Sequence, residues 1–167
     1  MNYDLSTPSG ALKFAIDAHN GQMDKQGIPY FYHPARVGSA LWAFGPDYVI
    51  AGFLHDVVED TDFTLEDLAS FGANPVVLSA VESVTKTESE STLEAYEASI
   101  RRAMTDPVGR YVKAADVVDN YSRIYGVKPA RLRNRLREKY LMAQLVIAEF
   151  IPGYWSGWSV TAPQEAP

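Results

Sequence analysis

The chain of 167 residues contains no cysteine and no long apolar run. Without cysteine, disulfide bonds and thiolate metal sites are excluded, so any metal ion must be held by histidine, aspartate, glutamate or water. No stretch approaches the roughly 20 consecutive apolar residues of a membrane span. The polar first ten residues lack the cationic and apolar regions of a signal peptide. We therefore expect a cytoplasmic protein that does not contact a membrane.

The chain also lacks an excess of basic residues, because its formal net charge is −6. A nucleic-acid partner recognised through a basic surface is therefore not expected. A small anionic substrate is compatible with this charge, since a metal ion and a few lysines can reverse the sign locally. The length suits one domain with a full core. The sequence does not indicate the oligomeric state.

Helical spacing of apolar residues runs through nearly the whole chain, so we predict an all-α fold, a compact multi-helix globule. The predicted domain spans residues 1–151, and residues 152–167 form an irregular tail. Polar loops are expected at 21–30 and 85–92. Helix starts are indicated by capping residues at three places: Thr7 before Pro8, Thr64 with Asp67 three residues later, and Asn74 before Pro75. Later helices are predicted at about 93–104, 107–122 and 130–149.

The segment His55-Asp56-Val57-Val58-Glu59-Asp60 gathers four ionisable side chains directly after the apolar run 49–54. Burying unpaired charges costs several kcal/mol, and a bound cation would remove that cost. We predict one continuous helix from about residue 47 to residue 60. Residues four apart share a helix face, which would place His55 above Glu59 and Asp56 above Asp60.

Two other segments offer further metal ligands. His33 lies at a predicted loop–helix junction, and Asp116 and Asn120 are one turn apart on another predicted helix. Taken singly, His33 also fits a structural histidine, and residues 55–60 also fit a solvated helix end. Together, two histidines and two aspartates suit Mn²⁺, Fe²⁺ or Zn²⁺ better than Ca²⁺. Such a site can lower the pKa of bound water, which indicates hydrolysis of a phosphate ester or anhydride.

The order His33, then His55-Asp56, then Asp116 resembles the H…HD…D signature of HD-superfamily metal-dependent phosphohydrolases. Further segments between about residues 10 and 145 resemble the alarmone hydrolases, which are the hydrolase domains of bifunctional alarmone synthetase-hydrolases and their small stand-alone relatives. These segments include His19-Asn20-Gly21-Gln22, Tyr32-His33-Pro34, Leu54 to Thr61, Phe71-Gly72, Val84-Thr85-Lys86 and Lys113-Ala114-Ala115-Asp116.

This resemblance implies an all-α HD-domain fold and an enzyme that removes the 3′-pyrophosphate of guanosine tetra- and pentaphosphate (ppGpp and pppGpp), usually with Mn²⁺. It also implies a role for each matching residue. Metal ligands would be His33, His55, Asp56 and Asp116; Glu59 and Asp60 would position and activate the attacking water; and Lys25, Asn120 and Tyr140 would contact the nucleotide.

One departure from the family pattern leaves the substrate open. The family loop usually reads Gln-x-Arg-Lys, whereas this chain has Gln22-Met23-Asp24-Lys25. Asp24 cannot stack on a base as a guanidinium does, and its charge repels phosphate. Smaller departures are Ala114 and Val117. The alternatives are an HD phosphohydrolase acting on another phosphorylated nucleotide and an antitoxin-like or regulatory nucleotide-binding module.

Overall fold

The computed structural model describes residues 3–86 and 92–154, and within these ranges it contains no β-strand. The helices are α1 Pro8–Ala18, α2 Tyr32–Ala40, α3 Pro46–Leu54, α4 Val57–Asp60, α5 Leu65–Ser70, α6 Pro75–Val84, α7 Leu93–Ala103, α8 Gly109–Ser122 and α9 Ala130–Phe150. Short 3₁₀ turns occur at Trp42–Phe44 and Ile124–Gly126. The all-α prediction is confirmed. In the described ranges, no helix combines the length and apolar character needed to cross a bilayer.

Capping explains where three of the helices begin, as the sequence predicted. Thr7 accepts a hydrogen bond from the amide of Gly10 and starts α1. Thr64 and the side chain of Asp67 form a reciprocal capping box at α5. Asn74 accepts from the amide of Val77 and starts α6. Each cap satisfies amide donors that the first helical turn leaves unpaired.

The central helix of the fold is α3, which packs against α1, α2, α6 and α8. All six residues from Val49 to Leu54 are buried. This explains the continuous apolar run, because a helix surrounded by neighbours has no polar face. Complete burial of Ile50 and Leu54 contributes roughly 1.5–3 kcal/mol each.

Glycine allows α2 and α3 to approach each other closely. A Cβ atom added to Gly52 would lie 2.7 Å from the Cα of Gly38, and one added to Gly38 would lie 2.3 Å from the ring of Phe53. This contact brings the first turn of α2 beside the end of α3. The rings of His33 and His55 therefore lie with their centroids 5.1 Å apart.

The prediction of one continuous helix over residues 47–60 is wrong. Helix α3 ends at Leu54, His55 and Asp56 form a turn, and α4 begins at Val57. The imidazole Nδ1 of His55 lies 2.8 Å from the carbonyl oxygen of Gly52. In a continued helix that oxygen would accept from the amide of Asp56, so the side chain of His55 replaces a backbone bond and ends the helix.

Two predicted segments fall partly outside the described residues. In the polar loop at 85–92, residues 87–91 lie outside them. In the tail from Pro152, residues 152–154 form a turn after α9, and residues 155–167 lie outside the described ranges. The boundary between domain and tail stays a prediction.

Replacing Gly52 with alanine tests the close contact between α2 and α3. The added methyl group would press on the backbone of Gly38, so Gly52→Ala should lower the free energy of unfolding by about 1–3 kcal/mol. Denaturant unfolding measures this change. The control Ser39→Ala, on the exposed side of α2, should change it by less than about 0.5 kcal/mol. Equal stability of both variants would contradict the close packing.

Candidate metal and nucleotide site

A cavity of about 330 Å³ opens between the loop 22–30, α2, α4, the end of α8 and α9. Six of the nine predicted site residues line it: Lys25, His33, Glu59, Asp60, Asn120 and Tyr140. The other three, His55, Asp56 and Asp116, are buried next to His33. The structure therefore brings all nine residues to one region of the molecule.

Two imidazoles and two carboxylates converge at the inner end of this cavity. The Nε2 atom of His33 lies 3.4 Å from Asp56 Oδ2 and 3.3 Å from Asp116 Oδ1. The Nε2 atom of His55 lies 3.1 Å from Asp56 Oδ2 and 4.0 Å from Asp116 Oδ1. Ligand atoms of His33, His55 and Asp116 all lie within 4.8 Å of one another, so these residues could hold a metal ion.

The hydrogen bonds of the two histidines orient their Nε2 lone pairs toward the carboxylates. Nδ1 of His55 faces the carbonyl oxygen of Gly52, and Nδ1 of His33 lies 2.8 Å from Asp119 Oδ2. Both partners are acceptors, which assigns the proton to Nδ1 in the neutral rings. Nε2 of His55 is buried and has no hydrogen-bond partner. Lone pairs directed at buried carboxylates require a positive charge between them, and this donor set fits a divalent cation.

Neighbouring side chains hold both carboxylates in place. The hydroxyl of Tyr30 donates to Asp56 Oδ2 over 2.7 Å. The ammonium of Lys113 donates to Asp116 Oδ2 over 3.0 Å. The amide of Asn120 also donates to Asp116. Burial alone would raise the pKa of Asp116. The charge of Lys113 and the hydrogen bond of His33 outweigh burial and hold this pKa well below its usual range.

Without a bound cation, the surroundings of His33 favour its protonated form. Burial alone would lower its pKa, but hydrogen bonds to Asp116 and Asp119 and the charge of Asp56 raise the pKa of His33 to about 10. A proton on His33 thus occupies the region where a cation would bind. Metal binding must displace it, because a ligating imidazole is deprotonated.

Asp119 and Arg36 were missed by the sequence reasoning. Asp119 accepts from His33 Nδ1 and from Arg36 through two bonds of 2.6 and 2.8 Å. Burial alone would raise the pKa of Asp119, but the hydrogen bonds to His33 and Arg36 hold it below its usual range. The sequence spacing could have indicated both residues, because Asp119 follows Asp116 by three positions and Arg36 follows His33 by three. Side chains at that spacing share a helix face.

The two predicted proton-handling carboxylates differ in their surroundings. Glu59 forms an ion pair with the ammonium of Lys86 and accepts from the amide of the same residue. Asp60 lies at the mouth of the cavity, where its backbone carbonyl accepts from Gln22 over 2.7 Å. Desolvation by the cavity wall and the negative charge of Asp56 raise the pKa of Asp60. The pair therefore offers one fixed carboxylate and one that holds a proton more readily.

The three predicted nucleotide contacts have different environments. Lys25 is exposed on the loop at the cavity wall, and Tyr140 is buried on α9 with its ring against the cavity. Asn120 also lines the cavity, but its amide donors are directed at Asp116. These hydrogen bonds orient the Asp116 carboxylate, which is a role for Asn120 in addition to any contact with a ligand.

A helical fold in which His, His-Asp and Asp side chains converge beside a cavity defines an α-helical domain with a group of residues that could hold a metal ion. The family model described as HD domain matches residues 11–142, which is most of the chain. The chain therefore belongs to the HD-domain family.

Several larger proteins contain a region similar to this chain. A Synechocystis protein named probable guanosine-3′,5′-bis(diphosphate) 3′-pyrophosphohydrolase is 39% identical over 138 residues, which cover 77% of this chain and 18% of that protein. An Aquifex aeolicus protein named guanosine-3′,5′-bis(diphosphate) 3′-pyrophosphohydrolase is 32% identical over 87% of this chain and 21% of its own length. A Streptomyces coelicolor relative, 38% identical over 77% of this chain and 16% of its own length, is named GTP pyrophosphokinase. The chain thus spans about a fifth of the length of these relatives.

A solved structure of similar size has the same fold. It is described as a metazoan ortholog of SpoT that hydrolyzes ppGpp, and it matches with a TM-score of 0.77 and 25% identity over 88% of each chain. The helical arrangement described above is therefore that of an HD hydrolase.

Stability of the metal-free protein should fall as pH rises from 6.5 to 8. In this window folded His33 keeps its proton, with a pKa of about 10, whereas an unfolded histidine loses it above about 6.5. The free energy of unfolding then declines by at most about 1.4 kcal/mol per pH unit. Above pH 8, Lys139 opposes the trend because its folded pKa is lowered to about 8.

In saturating Mn²⁺, the free energy of unfolding should instead rise with pH over the same range, because the metal-bound folded state has already released the proton of His33. Denaturant unfolding at pH 6.5, 7.2 and 8, in EDTA and in Mn²⁺, measures both slopes. The same slope under both conditions would contradict exchange between the proton and the cation.

Asp119→Asn tests the orienting role of the residue behind His33. An asparagine keeps the shape but loses the charge that fixes the His33 tautomer, so Mn²⁺ affinity should fall by about 10–100-fold. Isothermal titration calorimetry measures the affinity directly. The exposed control Asp62→Asn, which does not line the cavity, should bind Mn²⁺ as the wild type does. Unchanged affinity in Asp119→Asn would rule out the role.

Proposed function

We propose that this chain is a metal-dependent nucleotide pyrophosphohydrolase that removes the 3′-pyrophosphate of guanosine tetra- and pentaphosphate. The observation that carries the proposal is the convergence of His33, His55, Asp56 and Asp116 beside a cavity lined by carboxylates and cationic side chains. The names of the Synechocystis and Aquifex relatives and of the metazoan structure support it. A cytoplasmic location stays a prediction.

We assign the metal ligands as His33 and His55 through Nε2, with the carboxylates of Asp56 and Asp116. Mixed imidazole and carboxylate ligation suits Mn²⁺, which we propose as the cofactor. A divalent cation bound there would polarise phosphoryl oxygens and lower the pKa of water. Tyr30 and Lys113 hold the two carboxylates in place through their hydrogen bonds.

Glu59 and Asp60 are proposed to handle the water and its proton. Lys86 fixes the position of the Glu59 carboxylate, which can accept a hydrogen bond from the attacking water and orient it. Asp60 has a raised pKa and can take up the proton that this water releases. Its carboxyl group lies beside Tyr30, whose hydroxyl donates to the proposed metal ligand Asp56.

A local concentration of lysine favours a polyanionic substrate in this acidic protein. Burial and the nearby charges of Lys86, Lys113 and Lys25 lower the pKa of Lys139 to about 8. These four ammonium groups therefore raise the electrostatic potential on one side of the site. A polyphosphate chain bound there would relieve their mutual repulsion.

A second candidate keeps the hydrolysis and changes the nucleotide. Asp24 lines the cavity, and its negative charge does not suit contact with phosphate. Another phosphorylated nucleotide would satisfy the same metal site. A purely nucleotide-binding module is less well supported, because binding alone does not require the Glu59 and Asp60 pair.

Mn²⁺-dependent hydrolysis of a nucleotide panel tests the proposal. The wild type should release pyrophosphate from guanosine tetraphosphate, and Asp56→Asn should reduce turnover to background because a metal ligand is lost. Asp60→Asn should lower kcat by about 10²–10⁴-fold, the range for a group that transfers a proton. Product identification separates release of pyrophosphate from release of orthophosphate, and turnover of a different nucleotide in preference would favour the second candidate.

The exposed control Asp62→Asn should retain wild-type rates, and circular dichroism should show that every variant is folded. Tight nucleotide binding without any product in Mn²⁺ would favour the binding module. Wild-type hydrolysis by Asp56→Asn, after metal stripping and readdition, would contradict the proposed metal centre.

A further inference from the structure

Two arginines line the cavity in the described part of the chain, and their partners differ. Arg36 is engaged by both carboxylate oxygens of Asp119, at 2.6 and 2.8 Å. Arg123, directly after α8, has its guanidinium Nη2 3.8 Å from Asp24 Oδ2. At that separation the two groups form an ion pair, but they are too far apart for a hydrogen bond. The Arg123 guanidinium is thus held near the cavity with donor capacity that this contact does not use.

Asp24 is fixed by the loop on which it lies. Its Oδ1 atom accepts from the amides of Gln26 and Ile28, at 2.8 and 2.9 Å. Its own amide donates to the carbonyl of Ile28 over 2.8 Å. The carboxylate is therefore a structural part of the turn, and its Oδ2 atom is presented to Arg123.

The backbone of Arg123 is held by the same loop. The side-chain amide of Gln26 donates through Nε2 to the carbonyl oxygen of Arg123 over 3.0 Å. The same glutamine side chain lies against Gly126, where an added Cβ atom would contact its Oε1. Asp24 and Gln26 together fix both the side chain and the main chain of Arg123, which is the preorganisation that a recognition residue requires.

The residues that follow Arg123 provide an apolar surface. Ile124 and Val127, together with Leu136 from α9, line the same cavity and are otherwise buried. A ligand pocket for a planar base needs apolar contact for its faces and a small number of placed polar groups for its edge. This wall of the cavity offers both.

We propose that Arg123, positioned by Asp24 and Gln26, is the residue that determines base specificity, by donating hydrogen bonds to O6 and N7 of guanine. A guanidinium only donates, and guanine presents two acceptors on that edge. Adenine presents N7 and an amino donor there, which would leave one guanidinium donor facing another donor. This inference rests on the proposed function. It places the guanine contact on Arg123, directly after α8, and not on the loop, where this chain has Asp24 in place of the family's arginine.

The test compares guanosine tetraphosphate with its adenosine counterpart in wild type, Arg123→Ala and Arg123→Lys. Wild type should prefer the guanine substrate. Arg123→Ala should lower the ratio of guanine to adenine kcat/KM by about tenfold or more, mainly through a higher KM for the guanine substrate. Arg123→Lys keeps the charge but lacks the planar fork, so it should lose part of the same selectivity.

The control Arg101→Ala removes a surface arginine that pairs with Glu97 and Glu149 and does not line the cavity. It should preserve the ratio. Mn²⁺ affinity measured by calorimetry should be unchanged in every Arg123 variant, which separates base recognition from damage to the metal site.

Other outcomes overturn the inference. An equal loss with both substrates in Arg123→Ala would show that Arg123 supplies only charge to phosphate. Wild-type selectivity in Arg123→Lys would show that a bidentate guanidinium contact does not read the base. If the wild type binds guanosine tetraphosphate without hydrolysing it, the proposed function fails, and the ratio of dissociation constants for the two nucleotides decides the inference. If the wild type neither binds nor hydrolyses either nucleotide, both fail.

Discussion

The structure depends on the placement of four buried acceptor groups within a few ångströms of one another. The Nε2 lone pairs of His33 and His55 face the carboxylates of Asp56 and Asp116 at 3.1–4.0 Å. Without a positive charge between them this arrangement would be strongly unfavourable, because buried carboxylates and lone pairs repel. A proton on His33 meets the requirement in the metal-free protein, and a divalent cation meets it better.

Close packing of α2 against α3 makes this convergence possible. Contact between Gly38 and Gly52 brings the start of α2 against the end of α3. The side chain of His55 then ends α3 by binding the carbonyl of Gly52, and the same bond turns its other nitrogen toward the carboxylates. One residue therefore ends a helix, selects its own tautomer and presents a ligand atom. Its neighbour Asp56 completes the doublet from the same turn.

Local features were predictable from the sequence, and long-range partners were not. The caps at Thr7, Thr64 and Asn74 depend on residues three positions away, so they could be read directly. The continuous helix through residue 60 was predicted wrongly, because apolar spacing does not reveal that a side chain competes for a backbone carbonyl. The bonds from Asp119 to His33 and from Gln26 to Arg123 join residues 86 and 97 positions apart. Such partners depend on how the helices pack.

Anomalous diffraction at the manganese edge, from crystals grown with Mn²⁺, tests the central claim most directly. We expect one strong peak at about 2.0–2.3 Å from Nε2 of both His33 and His55 and from oxygens of Asp56 and Asp116. A peak bound elsewhere, or no peak at the convergence of these four side chains at saturating Mn²⁺, would contradict it.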